Sequence, residues 1–97
     1  MAQAAPPPDP AQAERLRLAG VGMTISIHAA ESPERPAIIS EYGDRNFGQL
    51  NARANQVARA LRQCGLAEGD AVALLCRNRP EFAEVWAATQ RAGLRLT

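Results

Sequence analysis

From residue 36 onward, polar and apolar positions sort the chain into a short series of elements. Ala37-Ile38-Ile39-Ser40 and Arg45-Asn46-Phe47 are brief β-prone runs on either side of Glu41-Tyr42-Gly43-Asp44, where Gly43 can take a positive φ and close a hairpin. Leu50, Ala54, Val57, Ala58 and Leu61 then recur at helical spacing as one apolar stripe, with Arg53, Arg59 and Arg62 on the solvated side. The spacing predicts a helix over residues 48–64, ended by Gly65 as a left-handed C′ residue.

Beyond the turn at Leu66–Asp70, the run from Ala71 to Cys76 is apolar at every position. Apolar residues without alternation predict a strand covered on both faces, as in a parallel sheet. Asn78 is expected to cap a second helix with Pro80 in its first turn. Phe82, Val85, Trp86 and Thr89 supply that helix's apolar face, and Gly93 ends it. Leu94-Arg95-Leu96-Thr97 alternates like the opening of a further strand. A strand–helix–strand unit needs its second strand to cover the crossover helix, so Phe82 and Trp86 are expected to be poorly covered. The pattern is that of a truncated α/β domain: a small β-hairpin, then helix–strand–helix of a parallel layer.

The leading residues are less regular. Pro6, Pro7, Pro8 and Pro10 remove amide donors and fix φ, which predicts a flexible Ala/Pro-rich leader over residues 1–20 and a partial subdomain over 21–97. Met23 to His28 alternates like a strand, while the continuation through Ala29, Ala30 and Glu31 favours helix, and both stay open. Ser32-Pro33 and Arg35-Pro36 end whichever forms.

Composition narrows the chemistry. A net charge of +1 gives no basic face for nucleic acid. All 11 basic residues are arginine, so no side-chain amine is available for Schiff-base or titratable-lysine chemistry. Cys64 and Cys76 have no companion pair and are expected as small buried core residues. The chain starts without a basic n-region and apolar h-region, and no apolar run approaches the ~20 residues of a membrane span, which makes the cytoplasm the default location.

Each residue that invites a functional role has a plainer one. His28 is the sole histidine and lacks companion ligands, so it reads as a packed or exposed helix residue. Gly20-Val21-Gly22 is half of a dinucleotide fingerprint and reads as a hinge. Arg77 and Arg79 flank a helix N-terminus, where anions are favoured, but Glu81 and Glu84 in the same turn offset them. Asp70 reads as a turn residue, and Trp86 reads as core through its stripe with Phe82 and Val85.

Three segments in order resemble the adenylate-forming (AMP-binding) superfamily. Asn46-Phe47-Gly48-Gln49-Leu50 is similar to its "Thr/Ser-Tyr-x-Glu-Leu" motif, with Phe47 for Tyr and Gln49 for Glu. Ala58, Leu61, Gly65, Leu66, Gly69, Asp70, Val72 and Ala73 match "A-x-x-L-x-x-x-G-[VL]-x-x-G-D-x-V-A". Asn78, Pro80, Glu81, Phe82, Trp86, Ala88, Arg91, Ala92 and Gly93 match "N-x-P-E-F-x-x-x-[FW]-x-A-x-x-[RK]-A-G". The resemblance covers residues 24–97 and is closest to acyl-CoA synthetases of the fatty-acid–CoA ligase type. It implies the N-terminal part of the large domain of such an enzyme, which forms an acyl-adenylate from ATP and a carboxylic acid and then an acyl-CoA thioester.

The resemblance also implies ATP, Mg2+ and coenzyme A for the parent, with the remainder of the ligase domain and a small carboxylic acid as partners. Phosphoryl chemistry needs positive charge and oriented donors around the transferring phosphorus. The family's phosphate loop, magnesium-site Thr-Glu, ribose-binding Asp and late lysine have no counterpart in residues 1–97. The expectation is therefore no catalytic, cofactor-binding or metal residue here, and a chain not competent alone. Alternatives are part of an adenylation domain serving a carrier protein, or a free-standing α/β binding module.

Overall fold

In the computed structural model, residues 9–76 and 79–97 are described. Residues 1–8 and the expected cap Asn78, with its neighbour Arg77, lie outside the described residues.

The first element corrects the expected leader. Residues Pro10–Gly20 form helix α1, where an irregular segment was anticipated. The carboxylate of Asp9 accepts the Gln12 amide at 2.7 Å, and Pro10 stands at the helix start, where its missing N–H costs nothing. Alanine, glutamine, glutamate, arginine and leucine then propagate the helix. Proline here starts a helix instead of preventing one. Gly22, at φ 78, turns the chain into α2 (Thr24–Glu31), which resolves the open segment as helix. Gly22 is packed closely: a Cβ there would stand 3.2 Å from Gln90 Cβ.

The hairpin forms as the pattern predicts. Strand β1 (Pro36–Ile38) pairs antiparallel with β2 (Arg45–Asn46), with an irregularity in the register between Pro36 and Ile38. Ser40 and Asp44 tie the loop: Ser40 N–H donates to Asp44 Oδ1 at 3.1 Å, and Ser40 Oγ donates to the Gly43 carbonyl at 2.7 Å. Helix α3 (Phe47–Gln63) begins at once, because Asn46 is both strand residue and N-cap. Its side chain accepts the Gln49 amide at 2.7 Å while Gln49 Oε1 accepts the Asn46 amide at 2.9 Å, a reciprocal capping box.

Strand β3 is shorter than its apolar sequence predicts. It comprises Ala71–Val72 and pairs parallel with β4 (Arg95–Leu96), across α4 (Pro80–Ala92). The parallel pairing is as expected, but the covered six-residue strand is not: Leu75 is fully exposed and Cys76 exposed. A ladder extends only as far as its partner. The last rung joins the Leu74 amide to the Thr97 carbonyl at 3.2 Å. Cys64 is exposed as well, so neither cysteine is the core residue anticipated.

Among the described elements α3 and α4 pack most extensively, through small residues. Leu50, Ala54 and Ala58 of α3 are buried, as are Pro80, Glu84, Ala87, Ala88 and Thr89 of α4. Alanine against alanine lets two helix backbones approach closely, and Ile27 of α2 and Leu94 extend this core. The inward face of α4 is therefore the alanine face, not the Phe82–Trp86 stripe that periodicity suggested. Phe82 and Trp86 remain 47% and 46% exposed. Among the described residues the result is an α/β unit with two two-stranded sheets.

Candidate functional site

Two polar joints lock α4 to the elements before it, and both come from residues far apart in sequence. At the first, Arg45 on β2 donates through Nε to Glu84 Oε1 at 3.0 Å. Glu84 is only 7% exposed along its side chain, so the ion pair lies at the edge of the core. This corrects the expectation for Glu84: it faces Arg45 and does not offset Arg79. At the second joint, Arg91 donates to the Asn51 carbonyl at 3.1 Å, to Asn51 Oδ1 at 2.6 Å and to Asn55 Oδ1 at 2.7 Å. Burial pushes the Arg91 guanidinium below the usual arginine value, although a guanidinium stays protonated at neutral pH. Its Nε is buried without a hydrogen-bond partner among the described residues.

The residues singled out by sequence fall elsewhere. His28 packs its ring 5.0 Å from Phe47, tying α2 to the start of α3. Asp70 is a turn residue, accepting the Ala67 amide at 2.8 Å. Arg79 stacks 5.0 Å over Tyr42 and donates to Glu81 at 3.4 Å. The Glu81 carboxyl is held below its usual value, first by its own backbone N–H at the helix start and then by Arg79. Trp86 lies on the uncovered face of α4 with Phe82.

The surface carries open hollows on both sides of α3. One of ≈ 290 Å³ is lined by Arg45, Gln49, Ala52, Arg53 and Gln56, and one of ≈ 300 Å³ by residues of α3 and Arg91 together with Met23. Among the described residues, no three His, Cys, Asp or Glu side chains gather where an ion could sit. The positive-φ glycines Gly22, Gly43, Gly65, Gly69 and Gly93 are spread over separate turns instead of forming one phosphate cradle. No reaction step is assigned to these residues. Among the described residues, no helix is long and apolar enough to cross a membrane. An alanine seam and the Arg45–Glu84 and Arg91–asparagine contacts join α4 to the elements before it, and its Phe82 and Trp86 side chains are exposed.

A family model described as "AMP-binding enzyme" matches residues 25–97. The chain belongs to that family. It is similar to human long-chain fatty acid transport protein 1, at 41% identity over 64 residues, covering 64% of this chain and 10% of that protein. It is also similar to the fatty acid--[acyl-carrier-protein] ligase ScoC of Streptomyces coeruleorubidus, at 34% identity over 70 residues, covering 72% of this chain and 14% of that protein. Among solved structures it superimposes on the Mycobacterium tuberculosis fatty acyl CoA synthetase with a TM-score of 0.73 and 31% identity, covering 78% of this chain and 16% of that one. The chain therefore spans 10% to 14% of the length of the curated relatives it matches. The acyl-CoA synthetase resemblance drawn from the three motifs is confirmed.

Neither polar joint was read from sequence. Asn51 and Asn55 stand four apart on one helix face, a spacing that could have marked a shared partner. Arg91 lies too far along the chain for periodicity to reveal it.

Proposed function

We propose that this chain contributes an opening segment to an ATP-dependent acid–CoA ligase and is not catalytically competent alone. The observation that carries the proposal is the half-exposed Phe82–Trp86 face beside a two-stranded parallel pair, on a helix whose opposite face is already packed. Such a face is stable in water only at a cost, and a further layer of the same domain would remove it. The family match supports the ligase class, and the fatty-acid wording of several relatives supports a long-chain acid as substrate. ATP, Mg2+ and coenzyme A would be held by residues other than these 97. We place the protein in the cytoplasm on the same reading.

One relative favours a second version. ScoC is described as a ligase that loads an acyl-carrier protein, so the acceptor thiol could belong to a carrier domain instead of coenzyme A. The third possibility, a free-standing α/β binding module, keeps the same fold without the chemistry.

The coding DNA beyond the Thr97 codon separates these. A frame that continues into a glycine-rich phosphate loop supports the ligase, and a carrier domain in the same frame or operon supports the second version. A stop codon at that point, with a cooperatively folding product, favours the module.

A further inference from the structure

Arg59 and Arg62 of α3 and Arg91 of α4 line one hollow of ≈ 300 Å³, completed by Met23, Asn55 and Ala58. None of the lining residues is acidic. Neither Arg59 nor Arg62 is in an ion pair with a described residue, and the hydrogen bonds of Arg91 go to neutral asparagine groups. Three arginines thus line one concavity that has no acidic residue in its lining.

Helix dipoles account for part of this. Arg62 and Arg91 occupy the last turns of α3 and α4, where the C-terminal ends favour cations. Each end carries roughly half a negative charge, so two ends offset about one of the three positive charges. Arg59 lies outside the last turn and is not explained in this way. The remainder of about two charges matches a phosphate group, whose planar-fork recognition by arginine is bidentate.

We propose that this α3–α4 hollow binds a doubly charged phosphate group, carried by a small soluble molecule or by a lipid headgroup. The Arg91 guanidinium, held by Asn51 and Asn55, is the rigid wall of the site. Arg59 and Arg62, both exposed, close on the ligand from the adjoining turns of α3. The lining of the hollow includes neither Phe82 nor Trp86.

The test is a titration of the chain with inorganic phosphate at pH 8 and constant ionic strength, following the arginine Nε–Hε signals by NMR. In parallel, the chain is sedimented with phosphatidylcholine vesicles with and without phosphatidic acid. The proposal expects saturable shifts confined to Arg59, Arg62 and Arg91, or phosphatidate-dependent sedimentation, which distinguish the soluble from the lipid source. R59Q and R62Q should each weaken binding by roughly tenfold, the value of one charge-assisted hydrogen bond, while R53Q on the other hollow leaves it unchanged. Both substitutions lie on exposed positions, and circular dichroism of each variant confirms an intact fold. Shifts that never saturate, an equal loss in R53Q, no binding in either arm, or a chain whose spectrum is undispersed would each overturn the proposal.

Discussion

At Glu84 and Arg45, a salt bridge with one nearly buried partner does more than decorate a surface. Surface pairs contribute little, but removing one member of a buried pair strands the other. Glu84→Ala leaves the Arg45 Nε facing the seam without its 3.0 Å acceptor. We expect it to cost about 1–3 kcal/mol in urea denaturation, with Glu84→Gln recovering part of that loss. Arg91→Lys keeps the charge but cannot reach both asparagines, and should cost about 1–2 kcal/mol by the same measurement. Glu81 supplies the pH-dependent case. Its carboxyl is held below the usual 4.5, chiefly by its own backbone N–H and then by Arg79. A depressed carboxyl stabilises the fold above the unfolded value and loses that contribution as pH falls through the folded value. An NMR titration of the folded chain should therefore place the Glu81 midpoint below 4.5, and Arg79→Ala should move it only part of the way back. The Arg45–Glu84 and Arg91–asparagine pairings are hidden in the sequence because each joins residues 36 to 40 apart across a packed interface.

The elements were more legible than their lengths. Helix α3 and the hairpin announced themselves through the Leu50–Ala54–Val57–Ala58–Leu61 stripe and the Gly43 turn, both local signals. Helix α1 is hidden in the sequence because the proline cluster reads as a breaker, whereas Asp9 followed by Pro10 is a start signal. The extent of β3 could not be read from its own residues, since a parallel ladder is only as long as its partner. On α4 the periodicity is right in kind, but it points to the Phe82–Trp86 stripe, whereas Ala87 and Ala88 are buried. Packing chose alanine because small side chains permit close helix approach. Two element ends can be tested. Asn46→Ala breaks both hydrogen bonds of the α3 capping box and should cost about 1 kcal/mol in thermal or urea unfolding. Gly93→Ala should cost more than Gly65→Ala. Both glycines have positive φ, at 71° and 89°, but a Cβ at Gly93 would stand 2.8 Å from Glu68 Cγ, while Gly65 faces open space. We expect about 1 kcal/mol at Gly65 and roughly twice that at Gly93.

For the whole molecule, the radius of gyration is 15.9 Å, against about 13 Å for a compact domain of a hundred residues. The outline is extended, and Phe82 and Trp86 are exposed on α4. Family membership was legible in the spaced motifs between Asn46 and Gly93, because those residues serve turns, caps and the α3–α4 seam that this fold requires locally. No phosphate-loop or late-lysine motif of the kind the resemblance implies for a parent enzyme is legible in these 97 residues. Trp86 reports directly on that outward face: in the isolated chain its fluorescence should be red-shifted and readily quenched by acrylamide. A blue-shifted, protected emission would mean that the face is covered. The central proposal is that this chain lends structure to an acid-activating enzyme without performing its reaction. The most direct measurement is acyl-AMP formation from ATP, Mg2+ and a long-chain fatty acid by the purified 97-residue chain, freed of contaminating ligase. We predict no acyl-AMP above the protein-free control, and its accumulation in proportion to added chain would contradict the account.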